Sequence, residues 1–446
     1  MIPNPKIVKA IEQLNYRVTL GDVAASAGLE LNLTERGLLA LASDAGGHLQ
    51  VAETGDIVYQ FPKNFQSILR NKYWKLRWQE TWKKIWGVLF YGIRISFGII
   101  LIASILLIAA ALVAVLIALS SSRDDDGDGG GGGMMFFPFY WFSDIFWLFS
   151  PNYGYYNSYD SRPRGDRSRS RQFKRGNTSS NSEMNFLEAV FSFIFGDGNP
   201  NVDKEERRWQ EIGMVIRNHR GAVVAEQIAP YLDDLGNEFA QDYEEYMLPV
   251  LARFNGRPEV SPDGQLIYRF EELQTTASQQ QVESVPNYFQ ERLWRFSRAG
   301  SSQLMMAGGL GALNVILALM LGSLLRDGTL AAQLGGLVAF AYSIYGLLLA
   351  YGLAFLAIPL VRYFWIQWRN RSISSRNQER HSREIPLAQP SDELQQKLAY
   401  AREFAAQNVI DTNNLAYTTE TDLAEQEFNQ ADKIDAEWQR RLESGS

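Results

Sequence analysis

Two stretches, Val51-Ala-Glu-Thr-Gly-Asp-Ile-Val-Tyr-Gln-Phe61 and Val260-Ser-Pro-Asp-Gly-Gln-Leu-Ile-Tyr-Arg-Phe270, repeat one pattern within a chain of 446 residues. The shared positions are Val51, Gly55, Tyr59 and Phe61, which recur as Val260, Gly264, Tyr268 and Phe270. Upstream, Ile7, Ile11, Val18 and Val23 recur as Ile212, Ile216, Val223 and Ile228. The separation between equivalent residues grows by four from the upstream set to the downstream set, so one copy carries a short insertion. The pattern predicts a duplicated small domain.

Each copy predicts three helices followed by a two-stranded hairpin. In the first copy, apolar residues at helical spacing mark Pro5–Asn15, Thr19 caps a helix that Gly28 ends, and Leu33–Ala42 follows. Alternating residues flank Thr54-Gly55 as in a hairpin, at His48–Val51 and Asp56–Phe61. The second copy repeats the order at Glu206–Asn218, Val224–Leu232, Asn237–Phe254, Glu259–Val260 and Leu266–Phe270. This order is the plan of a winged helix, which we predict at residues 1–62 and 203–275.

The charge of the two modules argues against nucleic acid as a partner. A winged helix that reads DNA places its third helix in the major groove and needs cations there. Leu31–Ser43 offers only Arg36, and Gly236–Phe254 offers only Arg253. Residues 1–62 carry four basic and seven acidic side chains, and residues 203–275 carry eight and fifteen. We therefore expect protein partners. A membrane-tethered nucleic-acid-binding regulator is the alternative, and a purely structural spacer is the third interpretation.

Three long apolar runs predict transmembrane helices. Residues 87–120, 304–325 and 330–361 each exceed the roughly 20 residues that a bilayer requires. Arg94 lies near the start of the first run, where its side chain is expected to extend to the membrane surface. Arg326-Asp327-Gly328 separates the other two runs, which predicts a helical hairpin. Recurrent glycine and alanine within this hairpin favour close helix packing.

Aromatic and basic residues flank the apolar runs. Trp74, Trp78 and Trp82 recur every fourth residue within 63–86, beside Lys83 and Lys84. That spacing puts the tryptophans on one helical face, so we expect a juxtamembrane helix at the level of the lipid headgroups. The alternative is that these tryptophans pack against the first module. Aromatic residues that include Trp141 and Trp147 assign 134–149 to the membrane interface or to a crossing, and 185–196 predicts another interfacial helix.

The distribution of charge predicts the orientation. Basic residues precede the first span and follow the last, whereas Asp124-Asp125-Asp126-Gly-Asp128 follows the first span. The positive-inside rule then places both termini, the modules and the tail on the cytoplasmic side. Because three spans are odd in number, either 134–149 returns across the membrane or the first run does not fully cross; the basic stretch Arg162–Arg175 favours the return. The first residues lack the charged and apolar regions of a signal peptide, and none is expected.

The remaining segments predict linkers and a helical tail. Residues 121–133 predict a flexible linker, and 150–184 is rich in Arg, Ser and Tyr, which predicts disorder and contact with lipid headgroups more than with RNA. Residues 276–303 predict a linker and a juxtamembrane helix. The tail 362–446 predicts two polar helices, Ser391–Asn408 and Thr419–Leu442. The second helix carries an apolar stripe expected to dock on a module or a partner, formed by Leu423, Ile434, Trp438 and Leu442.

Motifs of catalysis and of cofactor binding are absent from the sequence. The chain has no cysteine, and its three histidines are scattered, so no cofactor and no metal site are expected. Neither G-x-x-x-x-G-K-[ST] nor G-x-S-x-G nor H-E-x-x-H occurs. Asp233-Asp234 and Glu244-Glu245 are interpreted as helix-surface charges. The spans hold little polar beyond Asn314 and Pro359, so neither an enzyme nor a transporter is expected, and no small-molecule substrate is evident.

Several segments resemble a family of uncharacterised integral membrane proteins of cyanobacteria and plant chloroplasts. Besides the winged-helix module, they are Arg94-Ile-Ser-Phe-Gly-Ile99, the aromatic stretch Phe136–Pro151 and the tail Tyr417-Thr-Thr-Glu with Asp432-Lys-Ile-Asp-Ala-Glu-Trp438. The resemblance implies a photosynthetic organism, hence a thylakoid or plasma membrane, and supplies no catalytic residues. Some members carry an iron–sulfur cluster biosynthesis label. That label is not carried over, because this chain has no cysteine to bind a cluster.

The sequence as a whole predicts a mainly α membrane protein. Two winged-helix-like (α+β) modules are joined to transmembrane helices and to a helical C-terminal tail. The expected function is that of a non-enzymatic scaffold or assembly factor, whose acidic modules bind unidentified protein partners at the surface of the lipid bilayer. The expected membrane-interface residues are Trp74, Trp78, Trp82, Lys83, Lys84, Trp141 and Trp147.

Overall fold

The chain folds into two compact units, which a computed structural model describes over residues 3–121, 184–278, 284–326, 328–411, 415–422, 425–426, 438–439 and 442. We call Met1–Ser96, Phe191–Arg298 and Ile358–Ser446 the module unit, and Phe97–Val190 with Ala299–Ala357 the apolar unit. Helices predominate and the sheets are small, so the expected mainly α fold is confirmed. The predicted segment 134–149, with Trp141 and Trp147, lies outside the described residues, as do nearly all of the linkers 121–133 and 150–184.

The first module consists of α1 (Pro5–Gln13), β1 (Arg17–Thr19), α2 (Leu20–Ala27), α3 (Leu31–Ala45), β2 (His48–Ala52) and β3 (Ile57–Gln60). Thr19 Oγ1 accepts a hydrogen bond from Asp22 N, and Asp22 Oδ2 accepts one from Thr19 N, which fixes the start of α2. Gly28 ends α2 in the left-handed conformation. Because α4 (Phe65–Lys72) adds Phe65 and Leu69 to the core of Ile7, Ile11, Val18, Leu38 and Tyr59, the module extends beyond residue 62.

The expected juxtamembrane segment 63–86 is divided between two helices. Its first part is α4, and its second part begins α5 (Trp74–Ser121), a continuous helix of 48 residues. Tyr73 has extended backbone geometry and separates the two helices. No proline or glycine occurs from Trp74 to Trp86, so nothing in the sequence ends α5 before its apolar run. The next helix described is α6 (Phe186–Phe195), within the predicted interfacial segment 185–196.

The second module consists of α7 (Lys204–Asn218), β4 (Ala222–Val223), α8 (Ala225–Ile228), α9 (Glu238–Asp242), α10 (Leu248–Phe254), β5 (Arg257–Val260) and β6 (Leu266–Arg269). The third helix expected at Asn237–Phe254 is divided into α9, a 3-10 turn at Glu245–Met247 and α10. Glu244 lies between them with a φ of 52°, which an α-helix does not allow. After the hairpin, the chain forms α11 (Glu271–Gln274) and β7 (Thr275–Thr276).

The two modules share backbone geometry at the positions that recur in sequence. Val18 pairs with Tyr59 in the first sheet, and Val223 pairs with Tyr268 in the second. Phe61 N donates a hydrogen bond to Tyr16 O at 2.8 Å, and Phe270 N donates one to Gly221 O at 2.7 Å. Tyr16 and Gly221 both have a positive φ, 68° and 74°, and so does the residue before each of them. Equivalent residues therefore occupy equivalent places in the two modules.

The apolar unit combines part of α5 with α12 (Ser301–Leu324), α13 (Thr329–Leu334), α14 (Gly336–Ser343) and part of α15 (Tyr345–Ala388). Among the described residues, three helices are long and apolar enough to cross a membrane, namely Thr81–Ser120, Ser301–Leu324 and Tyr345–Ala388. The single span expected at 330–361 is divided, because Gly335 and Gly336 have positive φ and Ile344 leaves helical geometry. Within this unit, Ser104 Oγ donates to Oδ1 of the fully buried Asn314 at 3.1 Å.

The C-terminal tail contacts both modules. Its helix α16 (Asp392–Glu403), expected at Ser391–Asn408, packs Leu394 and Ala401 against the second module. The next strand, β8 (Asn408–Val409), pairs in parallel with β7, and β9 (Leu415–Thr418) pairs with β2 as the fourth strand of the first sheet. The helix expected at Thr419–Leu442 lies mostly outside the part of the chain that the structure describes, although Trp438 and Leu442 are described and exposed.

Candidate membrane interface and module junction

The tryptophan face of α5 is exposed. Trp78 and Trp82 are 55% and 58% exposed, and Trp86 continues the face by one helical turn. Lys83 and Lys84 are exposed beside them, and Trp74 is the first residue of the helix. A shallow groove is lined by Trp82, Lys83, Trp86, Gly87 and Phe90. Trp78 and Trp82 are thus more than half exposed, as a face at the level of the lipid headgroups requires.

A similar group of aromatic and basic side chains lies near the end of the apolar part of α15. Trp365 and Trp368 are 43% and 65% exposed, and Arg369 and Arg371 follow as exposed cations. The Trp365 ring contacts that of Trp294 edge-on, with 5.1 Å between centroids. Tryptophan and arginine in such positions are typical of membrane–water interfaces. Only the arginines contributed to the predicted orientation, although the two tryptophans carry the same signal.

Asp197 connects α5, α6 and the chain before α12. Its Oδ1 accepts a hydrogen bond from Arg94 Nη2 at 3.3 Å, and its Oδ2 accepts from Ser192 Oγ at 2.8 Å and from Arg298 N at 2.7 Å. Arg94, whose side chain was expected to extend to the membrane surface, pairs with this carboxylate. Arg362 of α15 donates to the Ser192 carbonyl at 3.2 Å, at the end of α6 where the helix dipole favours a cation.

A buried ionic cluster attaches α15 to the second module. Arg380 is 1% exposed; its Nη2 lies 2.8 Å from Glu291 Oε1 and also pairs with Asp233. Arg376 donates to both oxygens of Glu291, each at 2.8 Å. Two cations of α7 pair with Asp233 from the other side. We call the six residues the ionic cluster: Lys204, Arg208, Asp233, Glu291, Arg376 and Arg380.

Both carboxylates of the ionic cluster are held in their charged form. Burial acts to raise the pKa of Glu291, but hydrogen bonds from Arg376 and Arg380 hold that pKa well below its ordinary value. Burial acts on Asp233 in the same direction, and the hydrogen bond from Lys204 with the charge of Arg208 keeps its pKa lowered. The interpretation of Asp233 as a helix-surface charge was therefore wrong. The desolvation of such charges largely offsets their mutual attraction, so the intact cluster adds little net stability.

The backbone of the segment 284–300 contacts α15 at Glu291 and Trp294. Asn377 Nδ2 donates to Glu291 O and Asn377 Oδ1 accepts from Glu291 N, both at 2.9 Å. Asn370 makes the same pair of bonds with the backbone of Trp294, at 2.8 and 2.9 Å. No helix occurs between 284 and 300, contrary to the juxtamembrane helix expected in 276–303. The amide side chains of α15 supply the hydrogen bonds that a helix would have supplied internally.

A buried ion pair joins the two modules. Arg217 Nη2 of α7 pairs with Asp22 Oδ1 of α2, and the two side chains are only 8% and 4% exposed. Asp22 Oδ2 also accepts hydrogen bonds from Thr19 N and Ala277 N, each at 3.0 Å. A buried carboxylate with three donors has the partners that its desolvation requires. We call this contact between α2 and α7 the module junction.

Small residues bring the backbones together at the module junction. A Cβ on Gly213 would lie 2.8 Å from Ala25 Cα, and Gly21 leaves no room for a side chain beside the Glu272 carbonyl. Ala25, although it belongs to the first module, lies in the hydrophobic core of the second. Thr19 Oγ1 also donates to Thr275 O at 3.0 Å. The two modules therefore pack as one body.

Lys397 anchors the tail helix on the second module. Its side chain is 9% exposed, and Nζ lies 2.9 Å from Glu226 Oε1 and 2.5 Å from Glu244 Oε1. Burial acts to lower the pKa of Lys397, but Glu226 and Glu244 hold that pKa above its ordinary value. Tyr268 Oη donates to the other oxygen of Glu244 at 2.6 Å. Glu244, like Asp233, was interpreted as a helix-surface charge and is instead largely buried.

The titratable groups include one carboxyl group, that of Glu211, whose pKa burial shifts strongly. Across the described ranges, no three His, Asp or Glu side chains are arranged to hold a metal ion. Burial raises the pKa of Glu211 to about 7, against the opposing charges of Arg207 and Arg292. Glu211 Oε2 is buried and has no hydrogen-bond partner among the residues described. This carboxyl therefore changes its charge near neutral pH.

The module junction and the ionic cluster were not predicted from the sequence. Asp22 is the only charged residue of α2, which is a weak signal of a buried partner. Arg376 lies 85 residues from Glu291 along the chain, and nothing local indicates that the two meet. Contacts of this kind depend on tertiary packing, which periodicity and composition do not contain.

Comparison with known proteins identifies a plant relative. No protein-family model matches the chain, and no solved structure matches it. An uncharacterized chloroplastic protein of Arabidopsis thaliana is 36% identical over 450 residues, which cover 98% of this chain and 82% of the relative. This match confirms the chloroplast part of the resemblance, and together with three long apolar helices it is compatible with association with a membrane. The chain belongs to the family of this chloroplastic plant protein.

Proposed function

We propose that the chain is a non-enzymatic, membrane-anchored scaffold or assembly factor whose two modules bind protein partners at one face of a membrane. The module junction carries this proposal, because the buried pair of Asp22 and Arg217 makes the two modules one body. The ionic cluster attaches the same body to α15, one of the long apolar helices. A scaffold benefits from such a rigid mounting, since preorganised surfaces lose less entropy when partners bind.

We infer that each module is a winged helix that binds protein. The order of three helices and a hairpin in both copies supports the fold. The exposed face of α3 supports the type of partner: Leu33 and Leu39 are 48% and 44% exposed, beside Glu35 and Arg36. Exposed leucines with one cation suit a protein surface better than a row of phosphates. The alternative, a membrane-tethered nucleic-acid-binding regulator, would require more cations on this face.

We infer further that α5, α12 and α15 cross a thylakoid or plasma membrane. The exposed rings of Trp78 and Trp82, with Lys83 and Lys84, support contact with lipid headgroups. The positive-inside rule then assigns the modules and the tail to the cytoplasm or stroma. Because the two modules share one body, the chain between them must cross the membrane an even number of times.

Quantitative affinity capture from native membranes in mild detergents tests the scaffold proposal. We expect defined proteins to be recovered with the chain in constant stoichiometry under several detergents. The matched variant Arg217→Asp places a second carboxylate against Asp22 at the module junction. It should reduce the recovery of partner proteins without lowering the helix content of the chain. Recovery of the chain alone under every detergent would be incompatible with a scaffold. Salt-sensitive gel shifts of the full chain on DNA or RNA would favour the nucleic-acid alternative instead.

A further inference from the structure

The C-terminal strand β9 occupies the outer edge of the first module's hairpin. β2 pairs with β3 on one side and with β9 on the other. Ala52 N donates toward β3, to Asp56 O, whereas Leu49 O accepts from Thr419 N at 2.9 Å on the side of β9. Because the backbone groups of a strand alternate between its two sides, Leu49 and Val51 both face the outer edge. Leu49 N is satisfied there by Thr419 Oγ1 at 2.9 Å.

The equivalent edge of the second module is closed. The repeat makes Leu49 equivalent to Pro258 and Val51 equivalent to Val260. Pro258 has no N–H and cannot donate to an added strand. The Val260 carbonyl accepts a hydrogen bond from Tyr400 Oη at 3.2 Å. The duplication has thus kept a strand-accepting edge in one module only, and edges that are not used in binding are commonly blocked in this way.

Backbone hydrogen bonds hold β9 more than side-chain burial does. Ala416 is exposed and Tyr417 is 39% exposed. Only Leu415 joins a small apolar cluster, which includes Ala52 and Val58. The tail upstream is anchored separately, by Lys397 and by the bond from Ile410 N to Thr276 O at 3.0 Å. Release of β9 would therefore leave α16 and β8 in place and expose the edge of β2.

We propose that the edge of β2 is the docking site for an extended segment of a partner protein, and that β9 is an internal ligand which this segment displaces. The proposal rests on the scaffold function above and names the type of partner. The segment carries an apolar residue and, four positions later, Ser or Thr, as Leu415 and Thr419 do. The apolar side chain packs beside Ala52 and Val58, and the hydroxyl accepts from Leu49 N. Backbone pairing supplies affinity, and these two side chains supply selectivity.

A second copy of the chain is a less suitable occupant. In each copy, only residues 410–414 separate β8 from β9, and α16 and β8 bind the copy's own modules. The β9 strand of another copy would reach β2 only if its whole module unit came with it. A free extended segment has no such restriction. It competes only against the effective concentration of the tethered β9, which a short tether makes high.

Binding of a synthetic peptide to the full chain in detergent tests the proposal. The labelled peptide has the sequence of residues 411–422, and its control replaces the equivalents of Leu415 and Thr419 by Asp and Val. In the chain, Leu415→Asp weakens the internal ligand, and Leu49→Pro copies Pro258 of the second module. We expect the Leu415→Asp chain to bind the peptide at least tenfold more tightly than the unsubstituted chain. Adding Leu49→Pro should abolish this binding, and the control peptide should not bind.

Hydrogen exchange provides a second measurement on the same variants. Leu415→Asp should speed exchange of the Leu49 and Val51 amides, and the peptide should slow it again. Equal peptide binding to both chains, no binding to the Leu415→Asp chain, or binding that survives Leu49→Pro would overturn the proposal. A dimer of the unsubstituted chain that Leu49→Pro dissociates would assign the edge to a second copy and would also overturn it. If peptide binding fails while partners are still captured, only the β2 site is refuted; if capture fails, the scaffold is.

Discussion

Arg217→Ala is expected to open the module junction. The substitution leaves the Asp22 carboxylate 4% exposed and without its cation. Removing one partner of a buried ion pair costs about 3–5 kcal/mol. Asp22 keeps two backbone donors at 3.0 Å, from Thr19 and Ala277, so we expect a somewhat smaller loss of about 2–4 kcal/mol. Adding Asp22→Asn removes the stranded charge, and the double variant should lose less than Arg217→Ala alone.

Hydrogen exchange of the full chain in detergent measures this loss at the junction itself. With about 1.4 kcal/mol for each tenfold change, amides of α2 and α7 should exchange about 30 to 700 times faster in Arg217→Ala. Amides of the apolar unit serve as the internal control and should be unaffected. If exchange in α2 is unchanged, or if the double variant loses as much as the sum of the two single variants, the junction is not held by this ion pair.

Three further predictions concern the ionic cluster, Glu211 and the tryptophan face. Arg380→Met should destabilise the attachment of α15 to the second module by about 2–4 kcal/mol, because Asp233 and Glu291 then lose a shared cation. The loss should appear as faster hydrogen exchange of backbone amides near residues 376–383. Unchanged exchange would count against a role of the ionic cluster in this attachment. Burial raises the pKa of Glu211 to about 7, so the stability that protonated Glu211 contributes is complete below a pH of about 4.5 and is lost as the pH rises through 7. Glu211→Gln should therefore raise the free energy of unfolding at pH 8 by about 1–3 kcal/mol and flatten the pH dependence of thermal unfolding. An unchanged slope would contradict this prediction. In a variant that retains Trp78 and Trp82 as its only tryptophans, lipids brominated near the headgroup should quench the tryptophan fluorescence. The quenching should be weaker after Lys83→Gln together with Lys84→Gln. Fluorescence that is insensitive to the brominated lipid would refute contact of these rings with the membrane.

Local signals in the sequence predicted the local parts of the fold. Thr19 and Gly28 bound α2 as expected, since an N-cap hydroxyl and a left-handed glycine act over one helical turn. The recurring apolar residues predicted the two modules, because Val18 and Val223, with Tyr59 and Tyr268, occupy the same core positions in each copy. These features depend on residues close in sequence or on the repeat itself.

Features that depend on distant residues were not predictable. The division of 330–361 at Gly335 and Gly336 follows from backbone geometry that apolar composition does not indicate. Within the range 276–303, where a helix was expected, residues 284–300 contain none, and Asn370 and Asn377 of α15 bind the backbone of this segment. Asp233 and Glu244 resemble surface charges in sequence, but tertiary contacts pair them with basic side chains that include Arg380 and Lys397. Propensity is a weak prior where packing supplies such partners.

Sided cysteine labelling tests most directly the claim that both modules and the tail lie at one membrane face. The chain has no cysteine of its own, so single substitutions report one position each. Suitable exposed positions are Glu53→Cys and Asp263→Cys in the two hairpin turns and Thr421→Cys in the tail. A membrane-impermeant maleimide should label all three cysteines in sealed vesicles that expose the cytoplasmic or stromal face, and none of them in vesicles of the opposite orientation. The chain should also resist alkaline extraction from the membrane. Labelling of Glu53→Cys and Asp263→Cys from opposite sides would contradict the account.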